Sequence, residues 1–202
     1  YDGTAGQYSY VELQGGDITI AYSGPATGDI TKNGQDQAML NFAITSASRQ
    51  VEVKTLQFKL NGEPSLPDKL KDGSTYYFSD IKVRETDSAY TASTQSTGST
   101  LMGPKSLSSA TCNAGEDECT ITFNDSFYVD AGETRYLQLT WDVSNETYPV
   151  NKEYRATLLA MGSTSMRYTD TGQYVSSADI VPASDHAGNY MTVKESTLSV
   201  SL

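Results

Sequence analysis

Apolar residues in this chain recur at every second position, and the spacing of three to four that marks a helix is nearly absent. Successive side chains of an extended strand point to opposite faces, so the pattern is that of strands with one buried face. Ile18, Ile20 and Tyr22 alternate with Asp17, Thr19 and Ala21, and Leu40, Phe42 and Ile44 with Asn41 and Ala43. Leu137, Leu139, Trp141 and Val143 keep one face apolar throughout. Val51 and Val53 extend the series, but the phase then slips to Leu56, Phe58 and Leu60, which predicts a bulge or a bend. Further strands are predicted over 76–83, 120–123, 134–141, 153–161, 173–181 and 190–193. Ser23-Gly24-Pro25, Asn33-Gly34, Asn61-Gly62, Asp72-Gly73, Asp130-Ala131-Gly132 and Thr171-Gly172 punctuate them as turns. Many short strands with frequent turns predict an all-β, antiparallel sandwich.

The expected organisation is an N-terminal arm over 1–8, one sandwich domain over 9–194 and a separate terminal strand over 195–202. Residues 86–106 are rich in Ser, Thr and Gly and read as a long surface loop with an irregular strand. At 202 residues such a domain buries enough surface to fold without a metal or a lattice of disulfides.

Charge narrows the function classes. The formal net charge is -11 with only 19% charged residues, which repels nucleic acid and anionic lipid. No stretch approaches a membrane-spanning length of apolar residues. The low-charge, Ser/Thr/Tyr-rich composition suits an extracellular or cell-surface protein. Cys112 and Cys119 flank a short acidic loop between alternating runs, and a disulfide across a hairpin is expected, two reduced thiols being the alternative. With one His in the chain, two Cys cannot complete a zinc site, and no metal or cofactor is expected. The chain opens at Tyr1 without a leader, which reads as a processed chain or a fragment.

Catalytic readings find little footing. His186 sits in a Ser-Asp-His-Ala-Gly loop, no G-x-S-x-G elbow accompanies it, and no enzyme activity is expected. Glu116-Asp117-Glu118 lacks the spacing of a calcium loop and reads as a solvated turn. Asn124-Asp125-Ser126 and Asn145-Glu146-Thr147 are N-glycosylation sequons, making Asn124 and Asn145 candidate sites. Of the 14 Tyr, Tyr1, Tyr8 and Tyr10 lie outside the obvious core and are interface candidates.

The two ends nearly repeat each other. Gly16-Asp17-Ile18-Thr19-Ile20-Ala21-Tyr22 and Ser196-Thr197-Leu198-Ser199-Val200-Ser201-Leu202 carry large apolar residues in the same phase. Each follows a second short strand, Ser9 to Leu13 and Tyr190 to Lys194. The chain reads as one period of a repeat plus the opening of the next.

The order of segments resembles an Ig-like β-sandwich repeat of large prokaryotic cell-surface proteins. The resemblance is carried by Leu40-Asn41-Phe42-Ala43-Ile44-Thr45-Ser46-Ala47, Val51 to Phe58, Ser79-Asp80-Ile81-Lys82-Val83, Val129-Asp130-Ala131-Gly132-Glu133-Thr134, Leu137 to Val143 and Gly188 to Val193. The Cys loop and the Ser/Thr-rich loop depart from that pattern. The resemblance implies an Ig-like fold and a structural role, as a subunit of an extracellular filament or surface layer built from identical copies. Ile18, Ile20 and Tyr22 at one end and Leu198, Val200 and Leu202 at the other are candidate subunit-interface residues. Either row is suited to strand exchange with a neighbour, and which terminus donates is open. The alternative is a surface adhesin module that binds carbohydrate or protein.

Overall fold

The computed structural model describes residues 17–65, 68–87 and 98–196. In chain order the strands are β1 (Ile18–Gly24), β2 (Gly28–Thr31), β3 (Gln37–Ser46), β4 (Val51–Val53), β5 (Leu56–Gly62), β6 (Lys71–Asp72), β7 (Thr75–Tyr76), β8 (Phe78–Thr86) and β9 (Thr100–Lys105). They continue with β10 (Thr111–Cys112), β11 (Glu118–Phe123), β12 (Phe127–Val129), β13 (Thr134–Val143), β14 (Glu153–Leu158), β15 (Met166–Tyr168), β16 (Ile180–Val181), β17 (His186–Ala187) and β18 (Met191–Lys194). The only helical turns among the described residues are two short 3-10 pieces, Leu107–Ser109 and Ser177–Asp179.

Two large sheets face each other. One has the order β16-β1-β3-β13-β8-β9 and the other β10-β11-β5-β14-β18-β2, with β17 added on β14. A three-stranded sheet, β12-β4-β15, and the small β6-β7 ladder complete the sandwich. This is the all-β, mainly antiparallel sandwich that the alternation predicts. Most pairs are antiparallel, but β1–β16 and β2–β18 are parallel. The β2–β18 pair arises because β1 and β2 form one run that leaves the first sheet after Gly24 and joins the second at Gly28.

The core lies between the sheets. Phe42 meets Phe58 at 5.9 Å between ring centroids, and Phe58 meets Phe123 edge-on at 5.8 Å. Trp141 stacks on Phe78 at 4.2 Å and stands edge-on to Tyr154 at 6.4 Å. The predicted inward rows hold: Leu40, Phe42, Ile44, Leu137, Leu139, Trp141 and Val143 are all buried. The two central strands of the first sheet are buried on their other face as well. Asn41 and Gln138 are buried there, and the Gln138 Nε2–H donates to Asn41 Oδ1 at 2.9 Å.

Three local expectations take definite form. The phase slip after Val53 is not a bulge within one strand: Lys54 and Thr55 both donate to the Ser165 carbonyl while the chain passes from the three-stranded sheet to β5. The predicted strand over 173–181 is interrupted by a 3-10 turn at Ser177–Asp179, because Ser176 Oγ accepts from the Ala178 N–H and bends the chain. Residues 173–175 remain extended against β15, with the Val175 N–H donating to the Met166 carbonyl, and Ile180 and Val181 remain extended beside Ile18 and Thr19. The segment read as a long surface loop with an irregular strand does contain one: β9, which pairs with β8 through two register shifts.

The disulfide forms between Cys112 and Cys119, with Cα atoms 4.0 Å apart in register across β10 and β11. Closing a loop of this size contributes about 2.5 kcal/mol in the chain-entropy account. The outer edges of the sandwich differ in character. β9 carries Gly103, Pro104 and Lys105, and β10 is two residues long and tied by the disulfide. β16 covers only Ile18 and Thr19 of β1, so the outer edge of β1 from Ile20 to Gly24 has no ladder partner among the described residues and no charged side chain.

Candidate functional site

The register of the sheets places the two ends of the described chain at opposite poles. At the proximal pole β1 begins: Ile18 pairs with Ser46, and the Ala47 N–H donates to the Asp17 carbonyl at 2.9 Å. β3 runs the full height of the sheet, about 30 Å for its ten residues. At its other end lies the distal pole, where the Val143 N–H donates to the Gly34 carbonyl and the Asn33 N–H to the Ser144 carbonyl. There β18 ends: the Lys32 N–H donates to the Lys194 carbonyl at 2.8 Å, and Lys32 Nζ pairs with Glu195 at 3.3 Å.

Each pole carries its own polar cluster. At the proximal pole the Tyr168 hydroxyl donates to Asp17 Oδ2 at 2.6 Å, and the Arg49 guanidinium lies 3.8 Å over the Tyr168 ring. Arg49 also grips Asp170 with two N–H groups, at 2.5 and 3.1 Å. The guanidinium hydrogen bonds hold the Asp170 carboxyl below its usual range, while burial and then the bond to Asp17 push the Tyr168 phenol up. The cluster therefore ties the chain where it enters β1 to the end of β15, 151 residues away, and Arg49 extends it to the loop that follows.

Toward the distal end, Lys82 Nζ lies 2.7 Å from Asp36 and 2.5 Å from Asp80, and Arg84 pairs with Asp36 from the other side. Asp142 accepts the Asp36 N–H at 2.8 Å. Asp36, Asp80 and Asp142 bring their carboxylates within 4.8 Å of one another. Lys82 and Arg84 supply the positive charge among them, so the chemistry is that of an ion-pair network. Burial pushes Asp36 up, but the hydrogen bonds from Lys82 and Arg84 outweigh it and leave its carboxyl below the usual value. Burial raises Asp142, with Asp80 and Asp36 adding to the rise.

A pH dependence follows from Asp36, Glu52, Glu116 and Asp170, all of which are lowered. A carboxyl with a lowered folded pKa binds its proton more readily in the unfolded chain. It stabilises the fold above the unfolded value, and that share is lost as pH falls through the folded one. Asp142 acts in the opposite sense and offsets part of the loss. Burial lowers His186 as well, so the urea midpoint is expected to slip modestly as pH falls below about 6.5 and to fall more steeply below about pH 4 as the carboxylates protonate. Asp36→Asn, which tolerates the positive φ of 56–52° type seen at Asn33 and Asp36, is expected to make that acid drop shallower. An unchanged slope would assign the drop to the other carboxylates.

The candidate residues from the sequence are distributed as follows. Ile18 and Ile20, expected at a subunit interface, have their side chains buried in this chain's own core, because β1 pairs with β3 and turns them toward the facing sheet. Tyr22 is 37% exposed and closes the gap between the sheet edges, donating to the Pro25 carbonyl and accepting from Asn189 Nδ2. Leu198, Val200 and Leu202 lie outside the described residues, as do Tyr1, Tyr8 and Tyr10. Asn124 and Asn145 are both exposed. Glu116 pairs with Lys71 at 3.0 Å and Asp117 accepts from Asn113, so the acidic turn is spent on local contacts. His186 lies in β17, half-buried, and its neighbour Asp185 accepts the Ala160 N–H.

The polar clusters at the poles were not among the residues that the sequence reading singled out. Arg84 reaches Asp36 across 48 residues and Tyr168 reaches Asp17 across 151, and no local spacing announces such pairs.

No protein-family profile matches the chain, and no curated protein matches it. Among solved structures, similarity is found to AvmM, described as catalysing macrocyclization in alchivemycin A biosynthesis, at 9% identity over 92% of this chain and 93% of that one, with a TM-score of 0.43. A type III cohesin module from the cellulosomal ScaE cell-surface anchoring scaffoldin of Ruminococcus flavefaciens is 10% identical over 88% of this chain and 86% of that one, with a TM-score of 0.32. The third cohesin of ScaC from Acetivibrio cellulolyticus, solved with the ScaB dockerin, is 10% identical over 89% and 99%, with a TM-score of 0.27. At these scores the likenesses carry no argument. The functional reading rests on the geometry of the chain itself.

Proposed function

We propose that this chain is a structural unit of an extracellular filament or surface layer, joined head to tail to identical copies. The observation that carries the reading is the placement of Asp17 and Glu195 at opposite poles, so that successive units connect along one axis. An interface of that kind is heterologous and does not close on itself, so it builds an open fibre. The disulfide and the two exposed sequon asparagines, Asn124 and Asn145, fit an oxidising, extracellular setting in which both carry glycan. The uncovered outer edge of β1, from Ile20 to Gly24, is the acceptor for an added strand. Residues 196–202 of a neighbouring copy, with Leu198, Val200 and Leu202 in alternation, are the donor.

Electron microscopy of the full chain at rising concentration is expected to show linear rods, and a chain lacking residues 196–202 is expected to sediment as monomer. If the shortened chain forms the same rods, strand donation by that segment is wrong. If the full chain stays monomeric at every concentration and binds glycans on an array, the adhesin reading replaces the filament reading.

A further inference from the structure

We infer that the sandwich is a tension-bearing link, built so that a pull between its poles loads its end strands in shear. β1 and β2 run in the same direction, from the proximal pole to the distal one, and β18 runs parallel to β2 toward the distal pole. A force drawing Asp17 outward at one pole and Glu195 outward at the other therefore acts along the strand axes. β1 would have to slide along β3, with which it is in continuous register from Ile18 to Tyr22 before a shift at Gly24. β2 and β18 would have to slide past each other, with Gly28 opposite Met191 and Thr31 opposite Lys194.

Ladder hydrogen bonds lie across the strands, so sliding strains all of them at once, whereas peeling breaks them one after another. Sliding also has a side-chain penalty. A shift by one residue turns inward positions outward, and Ile18, Ile20, Ile30, Met191 and Val193 are all buried in the core. The second side of β18 is held too: the Asn151 N–H donates to the Val193 carbonyl at 2.7 Å and the Val193 N–H to the Lys152 carbonyl at 3.0 Å. The Asp17–Tyr168 bond and the Lys32–Glu195 pair add a polar stop at each end.

The inference goes beyond assembly, and its failure is separable from that of the filament reading because it concerns one isolated chain. The experiment is single-molecule pulling in two geometries with the Cys112–Cys119 disulfide intact. In one, handles are attached at the two chain ends. In the other they are attached through Glu146→Cys and Ser196→Cys, both exposed residues at the distal pole, so that β18 is peeled from its C-terminal end. At equal pulling speed the end-to-end geometry is expected to unfold at a force at least about twofold higher, since forced unfolding reads the barrier and not the equilibrium. The urea midpoints of the two proteins are expected to agree. Equal forces in the two geometries, or a lower force end to end, would overturn the inference.

Discussion

Trp141→Ala is expected to lower the free energy of unfolding by about 3–5 kcal/mol, read as a shift of the urea midpoint by circular dichroism. Trp141 is the sole tryptophan and is fully buried, stacked on Phe78 and edge-on to Tyr154. Truncation removes the largest side chain of the core and leaves a cavity between sheets that are tied by ladders on every side, so the site cannot collapse well. A whole domain is stable by only about 5–15 kcal/mol, so the variant stands near the edge of folding. Trp141→Phe separates size from chemistry. Its indole N–H has no hydrogen-bond partner among the described residues, a burial that is itself unfavourable. Phe removes that group with a modest loss of volume, and a cost of about 1 kcal/mol is expected. If the Phe variant loses as much as the Ala variant, the indole edge has a role that packing does not explain.

Gly62→Ala is expected to cost about 3 kcal/mol, the upper end of the range for overpacking. A Cβ at Gly62 would lie 2.0 Å from the Asp68 carbonyl oxygen, and neither partner is free to retreat. Gly62 pairs with Tyr154 on β14 and donates its N–H to the Asp117 carbonyl. Asp68 is anchored by Lys152 at 2.9 Å and accepts the Glu153 N–H. Gly132→Ala is the contrast: its φ is 76°, but nothing lies within 4 Å of the added carbon. Only backbone strain remains there, about 1 kcal/mol. Denaturation curves that rank the two variants in the reverse order would show that the loop carrying Asp68 yields more easily than its contacts indicate.

Gly62 also marks how far the sequence could be read. In Asn61-Gly62 the glycine looked like turn punctuation, yet it ends β5 and its purpose is close approach to Asp68, which lies beyond the next proline. Period-two alternation made the core legible because burial on one face is a local property: β1, β3, β5 and β13 were all readable in this way. Pairing partners were not legible. β16 joins β1 and β18 joins β2 across more than 160 residues, and no spacing in either segment announces it. The same limit hid the Arg49–Asp170 and Lys82–Asp36 clusters, whose members look like ordinary surface charges until the fold brings them together. The disulfide was legible because both cysteines flank one short turn.

The flanks of the sandwich bear on how copies behave when crowded. Gly103, Pro104 and Lys105 spoil one outer rim for backbone pairing, and the clipped two-residue rim at Thr111–Cys112 offers almost nothing to grip. Lateral sticking is thereby discouraged on those sides. A dense population of such molecules would meet little to join on those two rims, which works against broad, amyloid-like ribbons.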